Sequence, residues 1–174
     1  MEKPNYICGS EVHAYGQGYL ALPISLEGLP PRLQVGRLDL HAKATFHVSL
    51  LCVKNLMRKY GNKIEDEILA LFCSFAKDNE VNFVRYTGEF RFAETMERKT
   101  IVALCEISNL DNFFRFAEQQ LEISIPLQPT HVTIYTLQPE IGIGLNSYAE
   151  MDQKTQVIEV PREVEQVLQQ YNRA

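Results

Sequence analysis

The 174-residue chain contains no apolar run long enough to cross a bilayer. Its first ten residues, MEKPNYICGS, lack the basic-then-apolar pattern of a secretory signal. No low-complexity segment or long linker divides it. We therefore expect one domain over residues 1–174, located in the cytoplasm and without a membrane partner.

Cysteine is sparse, and its spacing excludes two common uses. Cys8, Cys52, Cys73 and Cys105 form neither a CxxC pair nor a dense framework. This pattern favours four reduced and mostly buried thiols. The histidines have no acidic or cysteine neighbours at a usable spacing, so we expect no metal site and no cofactor.

Positive charge is also limited. The chain has 17 Lys and Arg against 22 Asp and Glu, which gives a net charge of −5. A broad electrostatic contact with duplex DNA needs many phosphate contacts, and this composition disfavours it. A small anionic ligand in a local pocket remains compatible with the charge.

Hydrophobic periodicity predicts a mixed α/β (α+β) fold. Amphipathic stripes indicate helices at 62–79 and 108–123, the second with Ser108 or Asn109 as N-cap, and a last helix begins near Pro161. Residues 27–37, EGLPPRLQVGR, have the composition of a loop. Strand-type segments cover residues 18–26, 46–53, 82–94, 99–108, 130–137 and 155–160.

Two of these strands repeat an unusual pattern. FHVSL contains His47 and Ser49, and THVTI contains His131 and Thr133. Because side chains alternate along a strand, each histidine shares a face with its hydroxyl partner, and the apolar residues share the other face. The histidines lie 84 residues apart, close to half the chain, which suggests two related lobes.

The pattern suits phosphodiester chemistry. One histidine can act as general base and the other as general acid, because imidazole titrates near neutral pH. The hydroxyls of Ser49 and Thr133 can donate hydrogen bonds to non-bridging phosphate oxygens. A single His-x-hydroxyl pair is usually a structural strand histidine. Here half of the four histidines carry the pattern within apolar strands, which favours a functional role.

The paired motifs FHVSL and THVTI resemble the HxS/HxT signatures of the 2H phosphoesterase superfamily. The order of predicted elements over about residues 18–160 is also similar to that family, with an extra C-terminal helix at about 161–172. The resemblance implies a bilobal pseudo-twofold fold, with two antiparallel sheets flanking a central cleft and helices outside. It implies a metal-independent catalytic set of His47, Ser49, His131 and Thr133.

Other residues near the motifs are candidates for substrate binding. Alternation places Tyr135 on the histidine side of its strand, where it would stack on a base or bond to phosphate; the alternative is a half-buried aromatic. Gly142 and Gly144 allow close backbone approach to a ligand, although an ordinary loop is the simpler interpretation. The remaining histidines and the basic pair near the second motif are interpreted as surface or loop residues: His13, His41, Arg98 and Lys99.

Three functions are compatible with the sequence. The first is a cytoplasmic hydrolase that opens the 2′,3′-cyclic phosphate of a nucleotide or short RNA, acting as a monomer. The second is hydrolysis of cyclic oligonucleotide signals. The third is a non-catalytic module that binds RNA or nucleotide phosphate, although binding alone does not need two titrating histidines.

Overall fold

Antiparallel pairing organises the protein. The computed structural model describes residues 5–9 and 12–172, in which ten strands and five helices are found. The strands are β1 Asn5–Tyr6, β2 Ala14–Gly16, β3 Tyr19–Ile24, β4 Arg32–Val35, β5 Leu38–Ala42, β6 Phe46–Cys52, β7 Phe83–Glu94, β8 Lys99–Ile107, β9 His131–Thr136 and β10 Thr155–Ile158. The helices are α1 Val53–Tyr60, α2 Lys63–Asp78, α3 Leu110–Leu121, α4 Tyr148–Lys154 and α5 Arg162–Gln169.

The strands join into one sheet in the order β1–β2–β3–β6–β9–β8–β7–β10, and the β4–β5 hairpin attaches to β9 through β5. The mixed α/β prediction is therefore confirmed. The prediction of two separate sheets is wrong, because the two histidine strands, β6 and β9, pair with each other. They meet through the residue pair Val48–Val132.

The two faces of the sheet are covered differently. On one face, here called the helix face, helices α1, α2, α3 and α5 pack over a core that includes Val48, Phe72, Phe113 and Val132. The opposite face, here called the histidine face, has a smaller apolar cluster. Ala93 and Val102 of the sheet pack there against a loop and α4: Ile143, Leu145 and Met151.

A β-bulge interrupts β9. In its pairing with β8, Thr133 lies opposite Val102 and Tyr135 lies opposite Ile101, so Ile134 is the extra residue. An extra residue changes which face the following side chains occupy. Tyr135 therefore lies with Ile101 in the core of the helix face.

The sequence missed several short elements. Residues 27–37 do not form a simple loop, because β4 and β5 make a hairpin that buries Leu33 and Leu40. An ion pair between Arg32 and Asp39, 2.7 Å apart, also joins the two strands. Gly36 makes the hairpin turn with φ of 60°. The short helices α1 and α4, and the strands β1 and β2, have too few turns or residues for a periodicity signal.

The predicted reduced state of the cysteines is wrong for two of them. Cys8 and Cys73 form a disulfide that links the N-terminal segment to α2, whereas Cys52 and Cys105 are free and buried. His13 lies in a loop, as predicted, but it is not at the surface: it is 5% exposed, and its Nε2 lies 2.8 Å from the carbonyl oxygen of Val81. No helix among residues 5–9 and 12–172 is long and apolar enough to span a bilayer.

Loss of the Cys8–Cys73 disulfide should destabilise the fold. The bond closes a loop with a sequence separation of 65, and removing a loop constraint of this kind costs about 2 to 4 kcal/mol of unfolding free energy. We expect Cys8→Ser/Cys73→Ser to unfold at lower urea concentration than the oxidised protein. The double variant should not respond to added dithiothreitol, which serves as the control. Equal midpoints for oxidised and reduced wild-type protein would contradict the bond's stabilising role.

Candidate functional site

The structure brings the two motifs together on adjacent strands. Val48 and Val132 form the pair that joins β6 to β9, and both side chains are fully buried on the helix face. Their neighbours along each strand therefore point to the histidine face. These four residues, here called the quartet, are His47, Ser49, His131 and Thr133.

The pairing register sets the spacing of the quartet. In an antiparallel ladder centred on Val48–Val132, His47 lies beside Thr133 and Ser49 lies beside His131. His47 and His131 are diagonal neighbours in this ladder, and the Cα atoms of such neighbours lie roughly 7–8 Å apart. This places the two imidazoles within reach of one phosphate group.

β6 and β9 diverge on either side of their shared pair. Gln128, which is buried, donates from Nε2 to the Ser49 carbonyl at 2.8 Å and so bonds the β6 backbone where the ladder ends. Beyond the other end, β5 pairs with β9, and the Lys43 N–H donates to the Ile134 carbonyl at 3.1 Å. Gln128 is not among the residues predicted from the sequence, since no pattern in the flanking residues distinguishes it from other polar loop residues.

His131 is held in one tautomer. It is 8% exposed, and its Nδ1 lies 3.1 Å from the Pro129 carbonyl oxygen. A carbonyl only accepts, so Nδ1 carries the proton and Nε2 of the neutral ring carries the lone pair. Burial lowers the pKa of His131, and the hydrogen bond to Pro129 acts in the opposite direction.

His47 is neutral at neutral pH. His47 is an exposed residue, yet the surrounding protein desolvates its ring and lowers its pKa to about 4. The positive charges of Lys43 and then of His131 act in the same direction. A neutral imidazole at this position is able to accept a proton.

Lys43 places positive charge beside the quartet. Burial lowers the pKa of its ammonium, and the carboxylate of Glu140 opposes that shift. Glu140 itself accepts a hydrogen bond from the Ala44 N–H at 2.6 Å. Among the described residues, Lys43 forms no ion pair within 4 Å, so its charge is available to an anionic ligand. No sequence pattern singled out Lys43, because only the fold brings it close to His47.

The two hydroxyls of the quartet are available as donors. Ser49 and Thr133 are both half-buried. Within residues 5–9 and 12–172, neither hydroxyl has a hydrogen-bond partner, whereas the Thr130 hydroxyl donates to the Cys105 carbonyl at 2.6 Å. Both hydroxyls can therefore donate to oxygens of a bound phosphate.

A loop crosses the histidine face beside the quartet. Ile143 and Leu145 are buried against the sheet, and Gly142 and Gly144 alternate with them on the more open side. A Cβ added at Gly142 would lie 3.9 Å from Oγ1 of Thr133. The loop therefore borders the site, as the substrate-binding prediction for these glycines requires, although contact with a ligand remains a prediction.

Neighbouring basic residues have defined places. Arg98 is exposed, as predicted, and donates to the Gly142 carbonyl at 3.2 Å. Lys99 pairs with Glu94 at 2.7 Å. His41 is not a loop residue: it lies in β5, opposite Thr136.

Tyr135 does not belong to the site. Sequence alternation placed it on the histidine face, but the bulge at Ile134 moves it to the helix face. It is fully buried there, and its hydroxyl donates to the Pro30 carbonyl at 2.8 Å. The prediction that Tyr135 lies on the histidine face is therefore wrong.

Other parts of the surface offer less chemistry. A depression beside the Cys8–Cys73 disulfide contains His13, but that ring is buried and bonded to a backbone carbonyl. Among residues 5–9 and 12–172, no group of three or more His, Cys, Asp or Glu is placed to hold a metal ion. The quartet is thus the best-supported candidate for a reactive site.

Comparison of the chain with protein-family models, curated proteins and solved structures found no match. The resemblance to the 2H phosphoesterases therefore remains a prediction.

Removing the Lys43 charge should raise the pKa of His47. The ammonium is one of the causes that lower this pKa, so Lys43→Met should move it upward from about 4. Burial is the larger cause, so the pKa should stay below 6.5. The imidazole C–H resonances followed by NMR through a pH titration report the change. Lys99→Met, which removes a lysine already paired with Glu94, is the control, and equal His47 titration in the wild type and Lys43→Met would rule out the coupling.

Proposed function

We propose that the protein is a metal-independent phosphodiesterase that hydrolyses a cyclic phosphodiester, such as the 2′,3′-cyclic phosphate of an RNA end or a nucleotide. The observation that carries this proposal is the register Val48–Val132, which sets two His-x-hydroxyl motifs side by side on one face of the sheet. Hydrolysis of a phosphodiester needs a base at the entering water and an acid at the leaving oxygen.

His47 is the general base in this proposal. Its lowered pKa keeps the ring neutral, and burial together with Lys43 maintains that state. The imidazole takes a proton from water as the water oxygen attacks phosphorus. The resulting imidazolium is neutralised in part by the phosphate anion.

His131 is the general acid. Its Nδ1–H donates to the Pro129 carbonyl, which orients the ring and leaves Nε2 to carry the transferable proton. The anionic phosphate favours the protonated ring when substrate binds. Nε2–H then protonates the ribose oxygen as its bond to phosphorus breaks, and the proton taken up by His47 restores the balance after product release.

The charge that develops on the phosphate oxygens has donors nearby. The hydroxyls of Ser49 and Thr133 flank the two histidines, and the ammonium of Lys43 contributes positive charge. Preorganised donors of this kind typically lower a reaction barrier by about 2.7 to 4 kcal/mol each.

The proposal includes the two-lobed pseudo-twofold arrangement that the sequence motifs imply. It is supported by the sheet order, in which β3–β6 and β8–β9 are antiparallel pairs that meet at the two histidine strands. Each half supplies one histidine and one hydroxyl. The monomeric state expected from the sequence belongs to the same proposal. The cytoplasmic location belongs to it as well, although the Cys8–Cys73 disulfide counts against it, because such bonds are rare in cytosolic proteins.

The two other functions are distinguished by turnover. A cyclic oligonucleotide hydrolase would use the same quartet on a larger ligand and would cleave cyclic dinucleotides. A binding module would hold these ligands without hydrolysing them. Incubation with 2′,3′-cyclic nucleotides, cyclic dinucleotides and short RNAs ending in a cyclic phosphate separates the three.

Single replacements in the quartet should separate proton transfer from phosphate binding. His47→Ala and His131→Ala should each remove most of the kcat on the substrate that the panel identifies, and the double variant should cost much less than the sum, because the pair acts as a unit. Ser49→Ala and Thr133→Ala should cost less than the histidine variants. Initial-rate kinetics in EDTA measure these effects.

His41→Asn is the matched control, because it replaces a histidine in the adjacent strand β5 that lies outside the quartet. Near wild-type kcat in either single histidine variant, or activity that EDTA abolishes and a divalent ion restores, would contradict the mechanism.

The pH dependence of kcat/KM should be bell-shaped, with an optimum on the acidic side. The acid limb reports loss of the neutral base, and the pKa of His47 is about 4. The alkaline limb reports loss of the acid's proton, and the pKa of His131 lies below 6.5 in the free protein. The two apparent pKa values belong to the coupled pair. A rate that is constant from pH 4 to pH 8 would exclude this assignment.

A further inference from the structure

We infer that Tyr19, Lys54 and Asn146 form a second anion subsite, which binds a further phosphate of the same substrate beside the reacting phosphodiester. This inference rests on the proposed function, since it treats the quartet as the site of the reacting phosphate. It predicts a substrate in which one nucleoside separates two phosphates, rather than a cyclic phosphate with no other charge.

Tyr19 links the three side chains, because Lys54 contacts its ring and Asn146 contacts its hydroxyl. The Nζ of Lys54 lies 4.6 Å from the centre of the Tyr19 ring, a distance typical of a cation–π contact. The Tyr19 hydroxyl accepts a hydrogen bond from Nδ2 of Asn146 at 3.1 Å.

The cluster lies on the histidine face. In the β3–β6 pairing, Ala21 is opposite Ser49 and Pro23 is opposite His47. The register shift between Leu20 and Ala21 adds a residue to β6 and none to β3, so alternation along β3 keeps Tyr19 on the face of Ala21 and Pro23. Ser49 lies opposite Ala21, which is two residues from Tyr19 along β3, so the Cα atoms of Tyr19 and Ser49 are roughly 8 Å apart. The glycine loop connects the two places, because Gly142 borders Thr133 and Gly144 borders the Tyr19 hydroxyl.

The backbone is shaped to hold Lys54 in this position. Its aliphatic stem packs on Gly18, where an added Cβ would lie 2.7 Å from the Lys54 Cβ, and Gly18 has a φ of 80°. Any other residue at position 18 would displace the lysine stem. The ammonium is thereby held over the Tyr19 ring.

The groups offered to a ligand are donors. The Tyr19 oxygen is already used as an acceptor, so its O–H remains to donate, and the second N–H of Asn146 does the same. Among the described residues, Lys54 forms no ion pair within 4 Å. Glu150, which accepts from the Asn146 backbone N–H, is paired with Lys154 at 3.3 Å. A cation with added donors selects an anion, and phosphate is the anion present in nucleotide ligands.

Kinetics with paired substrates test the subsite. The substrates are a nucleoside 2′,3′-cyclic phosphate with and without a 5′-phosphate. We expect wild-type kcat/KM to favour the 5′-phosphorylated form, and Lys54→Met to reduce that preference roughly tenfold, the loss typical of one charge-assisted hydrogen bond. Lys59→Met is the matched control, because Lys59 lies on the same helix α1 over its own aromatic ring, Tyr60, at 5.1 Å. An unchanged preference in Lys54→Met, or the same loss in Lys59→Met, overturns the proposal.

Binding measured by calorimetry separates this inference from the proposed function. Adenosine 3′,5′-bisphosphate should bind the wild type roughly tenfold more tightly than adenosine 3′-monophosphate, and Lys54→Met should abolish the difference. Inorganic phosphate added to the monophosphate should not reproduce the gain. This result in a protein without turnover would refute the hydrolase and retain the subsite. Equal affinity for the two probes, or an equal loss for both in Lys54→Met, would refute the subsite. Tyr19→Phe, which keeps the ring and removes the hydroxyl, provides the same test if Lys54→Met does not fold.

Discussion

The contact between Val48 and Val132 is the constraint on which the rest of the site depends. These two valines join the strands that carry the histidines, and both are fully buried against the helices. Burial of this pair on the helix face leaves each flanking residue on the opposite face, since neighbouring side chains alternate. A shift of one residue in either strand would move a histidine into the core and a valine to the surface. The hydrophobic core thus determines where the polar chemistry can lie.

Irregularities around that pair give the site its shape. β6 and β9 diverge on either side of the valine pair. On one side, Gln128 donates a hydrogen bond to the Ser49 carbonyl; on the other, β5 pairs with the end of β9. The bulge at Ile134 sends Tyr135 into the core. The loop of Gly142 and Gly144 covers the apolar part of the histidine face and stops at the quartet.

The electrostatics of the site follow from burial more than from net charge. The chain is acidic as a whole, with a net charge of −5, yet the charges that act on His47 are the positive charges of Lys43 and His131. Desolvation lowers the pKa of both histidines. The charges of Lys43 and His131 lower the pKa of His47 further, whereas the hydrogen bond to the Pro129 carbonyl opposes the shift of His131.

The sequence alone determined the mixed α/β class, the positions of the longer helices and strands, and the four residues of the quartet, because these depend on local periodicity and on a repeated motif. Only the tertiary structure decided how the strands join, since pairing of β6 with β9 connects residues 84 positions apart. It also decided the place of Tyr135, because a bulge is set by pairing with β8 and leaves no signal in the periodicity of β9. The Cys8–Cys73 disulfide, Lys43 beside His47 and Lys54 over Tyr19 were likewise absent from the sequence interpretation. Proximity between distant residues depends on how the whole core packs, which no short stretch of the chain encodes.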